Sequence, residues 1–210
     1  MAASQGFGSW RHLAGRFFGA LSPAAPPPQD EAWALSSLLD GEKLLWHRMS
    51  GPDQRHAVEV ARDTVRFLEP DEVPPEVLAA ALLHDVGKVE ARLGTFARVG
   101  VTLAALAVGR SRLLHWANDG LQTGPAPSGA SAPSGASAPS GASVPSGRLR
   151  PSRRARVGMY LTHDDLGAQL LRQAGSREIT ISWARQHHLE PARWTVDARV
   201  GAALKAADGD

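Results

Sequence analysis

The 210-residue sequence contains no cysteine and no long uninterrupted apolar segment. The absence of cysteine excludes disulfides and thiolate metal sites. The longest late apolar stretch, residues 99–109, is far shorter than the ~20 residues that a transmembrane helix needs. We therefore predict a cytoplasmic protein with no membrane span.

A glycine-rich phosphate loop is also missing. Gly87-Lys88 has neither the upstream glycine nor the following serine or threonine that such a loop requires. A net charge of +2 and 43% hydrophobic residues are typical of one ordinary domain rather than a protein dedicated to a polyanion. The richness in alanine, arginine, glycine and proline is typical of a bacterial chain from a GC-rich genome.

Two segments differ from the rest in composition. Residues 1–28 hold no acidic residue and end in Pro26-Pro27-Pro28. We interpret them as an N-terminal tail or short helix; an organelle transit peptide and an interfacial amphipathic helix are alternatives. The domain itself is predicted over residues 29–210, interrupted by a low-complexity linker over residues 122–150.

The linker contains a true internal repeat. The hexapeptide that begins at Ala126 recurs at Ala132 and Ala138, and its Pro/Ser/Gly/Ala composition cannot form a core. We predict a disordered insertion that interrupts one site instead of separating two domains. The basic run Arg148–Arg156 that follows is a solvated approach to the next helix, a phosphate-attracting lip over the active site, or a nonspecific nucleic-acid contact. It lacks interleaved aromatics, so we predict no specific nucleic-acid partner.

The most informative motif is His84-Asp85-Val86-Gly87-Lys88, which follows a glycine-free apolar segment. That segment is predicted to be a core helix with Pro75 in its first turn and Gly87 near its end. Burying a carboxylate there without a partner costs on the order of several kcal/mol. A bound cation would compensate the buried negative charge. Imidazole beside carboxylate suits divalent ions: manganese, iron, zinc, nickel, cobalt or magnesium.

Further potential ligands lie on other predicted helices. His56 is followed by an apolar face at helical spacing and should point inward. His163 follows Thr162, a plausible helix cap, and His187-His188 ends another predicted helix. Asp208 ends the last one.

The ordered series His56, His84-Asp85, His163, His187-His188, Asp208 resembles the HD-domain superfamily of metal-dependent phosphohydrolases, over roughly residues 54–208. The resemblance implies an all-α, compact helical bundle. It also implies a first metal held by His56, His84, Asp85 and Asp208, and a second by His163 and His187, with His188 adjacent. Asp85 would bridge the two ions, and Lys88 would contact a phosphate.

The implied reaction is hydrolysis of a small-molecule phosphate ester, such as a nucleotide, by metal-activated water, with Asp85 and Lys88 as catalytic residues. A catalytically silent metal-binding module and a di-iron oxygenase are the alternatives. The segment after His188 lacks the Gly-Tyr-Pro signature of cyclic-di-nucleotide phosphodiesterases, which disfavours that substrate. The sequence does not specify the oligomeric state.

Helices are predicted near residues 31–39 and 42–49 and around each ligand, and no strand pattern competes. Trp183 and Trp194 flank the His-His pair. They are predicted to be core residues, with stacking on a nucleotide base as the alternative.

Overall fold

The protein is described by a computed structural model over residues 24–69, 73–122 and 151–209. Within these ranges every regular element is helical, which confirms the predicted all-α class. The helices are α1 (Pro28–Ser36), α2 (Asp40–Trp46), α3 (Gly51–Leu68), α4 (Pro75–Leu83), α5 (Lys88–Ala91), α6 (Thr95–Val108), α7 (Arg110–Gln122), α8 (Arg153–Leu161), α9 (His163–Gln173), α10 (Glu178–Gln186) and α11 (Ala198–Asp208), with a 3₁₀ turn at Pro191–Arg193. Most of the predicted N-terminal tail and linker lies outside the described residues.

The first two helices form where the sequence predicts them, with earlier boundaries. The helix expected near residues 31–39 runs over Pro28–Ser36, because a proline is well suited to the first helical turn. The helix expected near 42–49 runs over Asp40–Trp46. Its start is stabilised by Glu42, whose Oε2 accepts a hydrogen bond from the Leu39 amide at 2.9 Å.

Helix α4 lies at the centre of the core. Its residues Ala79 through Leu83 are almost completely buried, as the apolar pattern on every face predicts. The helix contacts α2, α3 and α10, and the Thr180 hydroxyl of α10 donates to the Glu76 carbonyl at 3.1 Å. The end of α4, where His84 and Asp85 follow, is thereby fixed inside the protein.

Helices α5, α6, α7 and α8 are not predicted by the sequence patterns. Helices α6 and α7 contact each other, α8 packs against α7, and α5 packs against α8. No single helix in the described ranges is long and apolar enough to span a membrane. The segments Pro75–Ala91 and Phe96–Val108 are together long and apolar enough for a membrane span, but the chain bends by 94° between them.

Gly87 lets the His84-Asp85 turn lie directly against α9. A Cβ atom at this position would be 1.8 Å from the His163 carbonyl oxygen and 2.6 Å from the Gly167 amide nitrogen. Both obstacles are backbone atoms, so neither can move without shifting α9. A glycine here brings Asp85 within reach of His163.

We therefore expect Gly87→Ala to lower the free energy of unfolding of the metal-free protein by more than about 2 kcal/mol, as overpacking against rigid atoms does. Gly100→Ala is the control, because Gly100 lies within α6 and a Cβ there would meet no atom within 4 Å. That substitution should stabilise the protein by about 0.5–1 kcal/mol. Urea unfolding measures both changes, and an equal effect of the two substitutions would contradict the close contact at Gly87.

Candidate metal centre

Seven ligand side chains from distant parts of the sequence converge at one place in the bundle. They are His56, His84, Asp85, His163, His187, His188 and Asp208. Five parts of the fold contribute: α3, the turn after α4, the start of α9, the two residues that follow α10, and the end of α11. All the metal ligands predicted from the sequence are therefore neighbours in the structure.

The first group consists of His56, His84 and Asp208, whose ligand atoms all lie within 4.8 Å of one another. The Asp208 Oδ1 atom is 3.0 Å from Nε2 of His56 and 3.7 Å from Nε2 of His84. Asp208 reaches this place because α11 packs against α3, which carries His56. The Lys205 ammonium on α11 also donates to the His187 carbonyl at 2.9 Å. This group could hold a metal ion.

The second group consists of His163, His187 and His188, with the same limit of 4.8 Å between ligand atoms. His163 and His187 are buried, and His188 is exposed. The rings of His163 and His188 meet edge to face at 5.4 Å between centroids. Three imidazoles that converge in this way could hold a second ion.

Asp85 lies between the two groups. Its Oδ2 atom is 3.4 Å from Nε2 of His84, on the side of the first group. Its Oδ1 atom is 3.2 Å from Nε2 of His163 and 3.7 Å from Nε2 of His187, on the side of the second. One carboxylate thus presents a different oxygen to each group, which is the arrangement that a bridging ligand requires.

Backbone carbonyl groups orient three of the histidines. The Nδ1 atom of His84 lies 2.9 Å from the Ala81 carbonyl oxygen, that of His163 lies 2.7 Å from Tyr160, and that of His187 lies 3.0 Å from Ala184. Each acceptor is three residues earlier, near the end of a helix, where carbonyl groups lack a helical amide partner. A proton on Nδ1 leaves Nε2 directed at Asp85, and a hydrogen bond of this kind fixes the orientation of a metal-bound imidazole.

The buried polar atoms of the site fit a cation. The Nε2 atoms of His84, His163 and His187 and Oδ1 of Asp85 are buried and make no hydrogen bond within the described residues. Leaving four such atoms unpaired is costly in a folded protein, because each has lost its contact with water. They are all atoms that donate lone pairs to metals, and they face one another.

Electrostatics at the centre keeps both carboxylates ionised. Burial raises the pKa of Asp85, but the charges of Lys88 and His84 outweigh it and hold that pKa well below its usual range. The pKa of Asp208 is also lowered, because its hydrogen bond to His56 and the His84 charge outweigh burial. Both groups therefore offer anionic oxygens at neutral pH.

The two buried histidines with shifted pKa values differ in charge. Burial lowers the pKa of His84, but the adjacent carboxylates of Asp85 and Asp208 raise it overall to about 9. Burial and the charge of His84 instead lower the pKa of His187 to about 3. In the metal-free protein His84 is thus an imidazolium at neutral pH, whereas His187 is neutral.

Lys88 lies at the same carboxylate. Its ammonium donates a hydrogen bond to Oδ2 of Asp85. Burial lowers the pKa of Lys88, but the attraction of Asp85 outweighs it and raises the pKa overall, so this side chain stays cationic. About a fifth of the side chain, 21%, is accessible to solvent.

Tyr160 also contacts the site, although the sequence patterns above do not indicate it. Its ring stacks on His163 at 5.8 Å between centroids, besides supplying the carbonyl that accepts from that histidine. Its position could have indicated the contact, because Tyr160 precedes His163 by three residues near a helix end. Helix α8, which carries it, was not predicted.

Trp183 is a core residue, as predicted, whereas Trp194 is partly buried and packs against the core. Trp183 is 1% exposed and meets Trp194 edge to face at 5.4 Å. The indole of Trp194 donates to the Leu189 carbonyl at 3.0 Å. The buried ring of Trp183 is therefore not available to stack on a base.

The basic run is described only from Arg153 onward. Arg156 is partly buried and donates to the Ala91 carbonyl at 2.9 Å, whereas Arg153 and Arg154 are exposed. No contact of these arginines with the metal ligands is present in the described part of the chain, and Arg148 and Arg150 lie outside it.

No protein-family model matches the chain, and neither the curated proteins nor the solved structures contain a match.

The charge state of His84 predicts how metal binding depends on pH. A cation bound to Nε2 must displace the proton that His84 holds up to a pKa of about 9. At pH values below this pKa, the apparent metal affinity of the first group should increase by about tenfold for each unit by which the pH is raised. Calorimetry at pH 7.5 in buffers of different ionisation enthalpy counts the protons released.

We expect release of about one proton per ion bound to the first group in a His163→Ala variant, whose second group is impaired. A His56→Ala variant, with an impaired first group, should show less release, because His187 is already neutral. Metal binding without pH dependence in both variants would contradict the assignment of His84 as a ligand.

Proposed function

We propose that this protein is an HD-type metal-dependent phosphohydrolase that hydrolyses a phosphate ester, with a nucleotide as the expected substrate class. The single observation that carries the proposal is the position of Asp85, one carboxylate between two groups of histidines whose Nε2 atoms face it. The order of these ligands along the chain, which resembles that of the HD superfamily, supports the same conclusion.

His56, His84, Asp85 and Asp208 would hold one ion, and Asp85, His163, His187 and His188 would hold another. Divalent ions in such a pair supply Lewis acidity, which lowers the pKa of a bound water and neutralises charge on a phosphoryl oxygen. The chain's own residues provide the geometry: carbonyl-oriented imidazoles and a buried carboxylate require little rearrangement when the ligand set is completed.

The charge balance of the site favours an anionic substrate. Asp85 and Asp208 supply two negative charges, and Lys88 adds a positive one. With even one divalent cation bound and His84 neutral, the centre carries a net positive charge. A phosphate group is the ligand that compensates this excess while offering oxygens to Lys88.

The accessible part of the site is its rim. The His56 side chain is 27% exposed and that of Lys88 is 21% exposed, and His188 is exposed as well. Asp85, His84 and His187 lie behind them in the buried interior. In this proposal the phosphate would approach from the side of Lys88, and the bulk of the ester would stay outside the protein.

Lys88 has two roles in this proposal. It holds one oxygen of Asp85 in place through the hydrogen bond to Oδ2. Its remaining donors can stabilise negative charge that develops on the phosphoryl oxygens during in-line attack.

The test is turnover by the metal-stripped protein reloaded separately with manganese, iron, cobalt, nickel, zinc or magnesium. Substrates are a generic phosphomonoester, a generic phosphodiester and a panel of nucleotides. At least one metal should restore turnover. Lys88→Met should reduce kcat by about a hundredfold, the usual effect of losing one charge-stabilising donor.

Lys43→Met is the matched control, because Lys43 is on α2 and pairs with Asp40 at 2.9 Å, away from the metal centre. Its kcat should equal that of the wild type. Metal-loaded protein that turns over no phosphate ester would favour the silent binding module. Consumption of oxygen by an iron-loaded form would favour the di-iron oxygenase.

A further inference from the structure

Helices α6, α7 and α8 form a unit at the side of the bundle, which we call the outer lobe. Within the described residues, α6 packs on α7 and α7 packs on α8. The lobe joins the rest of the protein through α8 and α5, where Arg156 donates to the Ala91 carbonyl, and through Arg98, which pairs with Asp53 at 2.6 Å.

The outward face of α6 is apolar. Phe96 is 76% exposed, Leu103 is 61% exposed and Leu106 is 78% exposed. These residues and the partly buried Val99 recur at intervals of three and four, so they form one stripe along the helix. A helix at a water-facing surface normally shows charged and polar residues at these positions.

The charge of the surrounding sequence is strongly of one sign. Between Glu90 and Asp164 there are nine arginines, and Asp119 is the only carboxylate. Arg112, Arg153 and Arg154 are exposed, and none pairs with a carboxylate within the described ranges. Arg154 lies over the ring of Trp116, itself 42% exposed, at 4.7 Å.

We propose that the outer lobe docks on the surface of an anionic lipid membrane. Exposed phenylalanine, leucine and tryptophan would enter the interface between headgroups and acyl chains, and the arginines would pair with lipid phosphates. This is surface binding and is independent of the proposed enzymatic activity.

Other occupants fit the lobe less well. A second copy of the lobe would bring like charges together, and residues 1–23 of the same chain hold Arg11 and Arg16 with no acidic residue. A nucleic acid would satisfy the arginines but would leave the large apolar side chains of α6 without an apolar partner. An anionic membrane satisfies both features.

The test is co-sedimentation of the full-length protein with vesicles of phosphatidylcholine alone and with vesicles that contain added phosphatidylglycerol. We expect binding to the anionic vesicles, weaker binding in high salt, and little binding to neutral vesicles. The double variant Leu103→Glu/Leu106→Glu should reduce the affinity by at least about tenfold.

The matched control is Leu44→Glu, because Leu44 is 71% exposed on α2, outside the lobe. It should bind like the wild type. All variants must keep the wild-type circular dichroism spectrum and metal content, which a change confined to the lobe surface leaves intact. Loss of binding in the control as well would overturn the assignment to α6.

Charge reversal provides an independent measurement. Arg112→Glu/Arg153→Glu should weaken binding to anionic vesicles, whereas Arg66→Glu on α3 should not. Equal vesicle binding by wild type and both lobe variants would overturn the proposal. So would tight binding of duplex DNA or single-stranded RNA without vesicle binding, or a dimer that the α6 variant dissociates.

Discussion

The structure depends on one buried carboxylate, Asp85. The charge of an ionised group in the protein interior must be compensated, because burial without a partner costs on the order of several kcal/mol. Here the compensation comes from Lys88 at one oxygen and from imidazoles on both sides. These partners belong to separate elements of the fold, so Asp85 is compensated only when those elements are packed together. A proton on His84 balances the charge in the metal-free protein and occupies the place that a cation would take.

Helix ends determine the direction of the ligands. His84 and His187 each follow directly on a helix, α4 and α10, and His163 lies just beyond the end of α8. Carbonyl groups at those ends have no helical partner, so they accept from Nδ1 and turn Nε2 toward the centre. The close contact at Gly87 then fixes the distance between the turn after α4 and the start of α9. The helix ends thus orient the imidazole rings, and Gly87 allows the turn that carries Asp85 to approach His163 closely.

The sequence predicted the parts of this arrangement that depend on local pattern. The apolar run before His84 predicts a buried helix, and helical spacing after His56 predicts an inward-facing histidine, because periodicity is a local property. The place of Asp85 between two groups was expected only from the resemblance to HD proteins, since no local pattern determines where helix ends meet. Tyr160 and helices α5 to α8 were missed. In α6 the apolar stripe faces outward, so its pattern resembles that of a core helix although the structure leaves it exposed.

The central claim is that Asp85 serves two adjacent metal sites. Elemental analysis of protein purified without chelator and reconstituted anaerobically tests it most directly, for wild type, His56→Ala, His163→Ala and Asp85→Asn in parallel. We expect about two equivalents of divalent metal in the wild type, about one in each histidine variant, and the largest loss in Asp85→Asn. Wild-type protein that binds no metal after reconstitution, or Asp85→Asn that keeps the full complement, would contradict it.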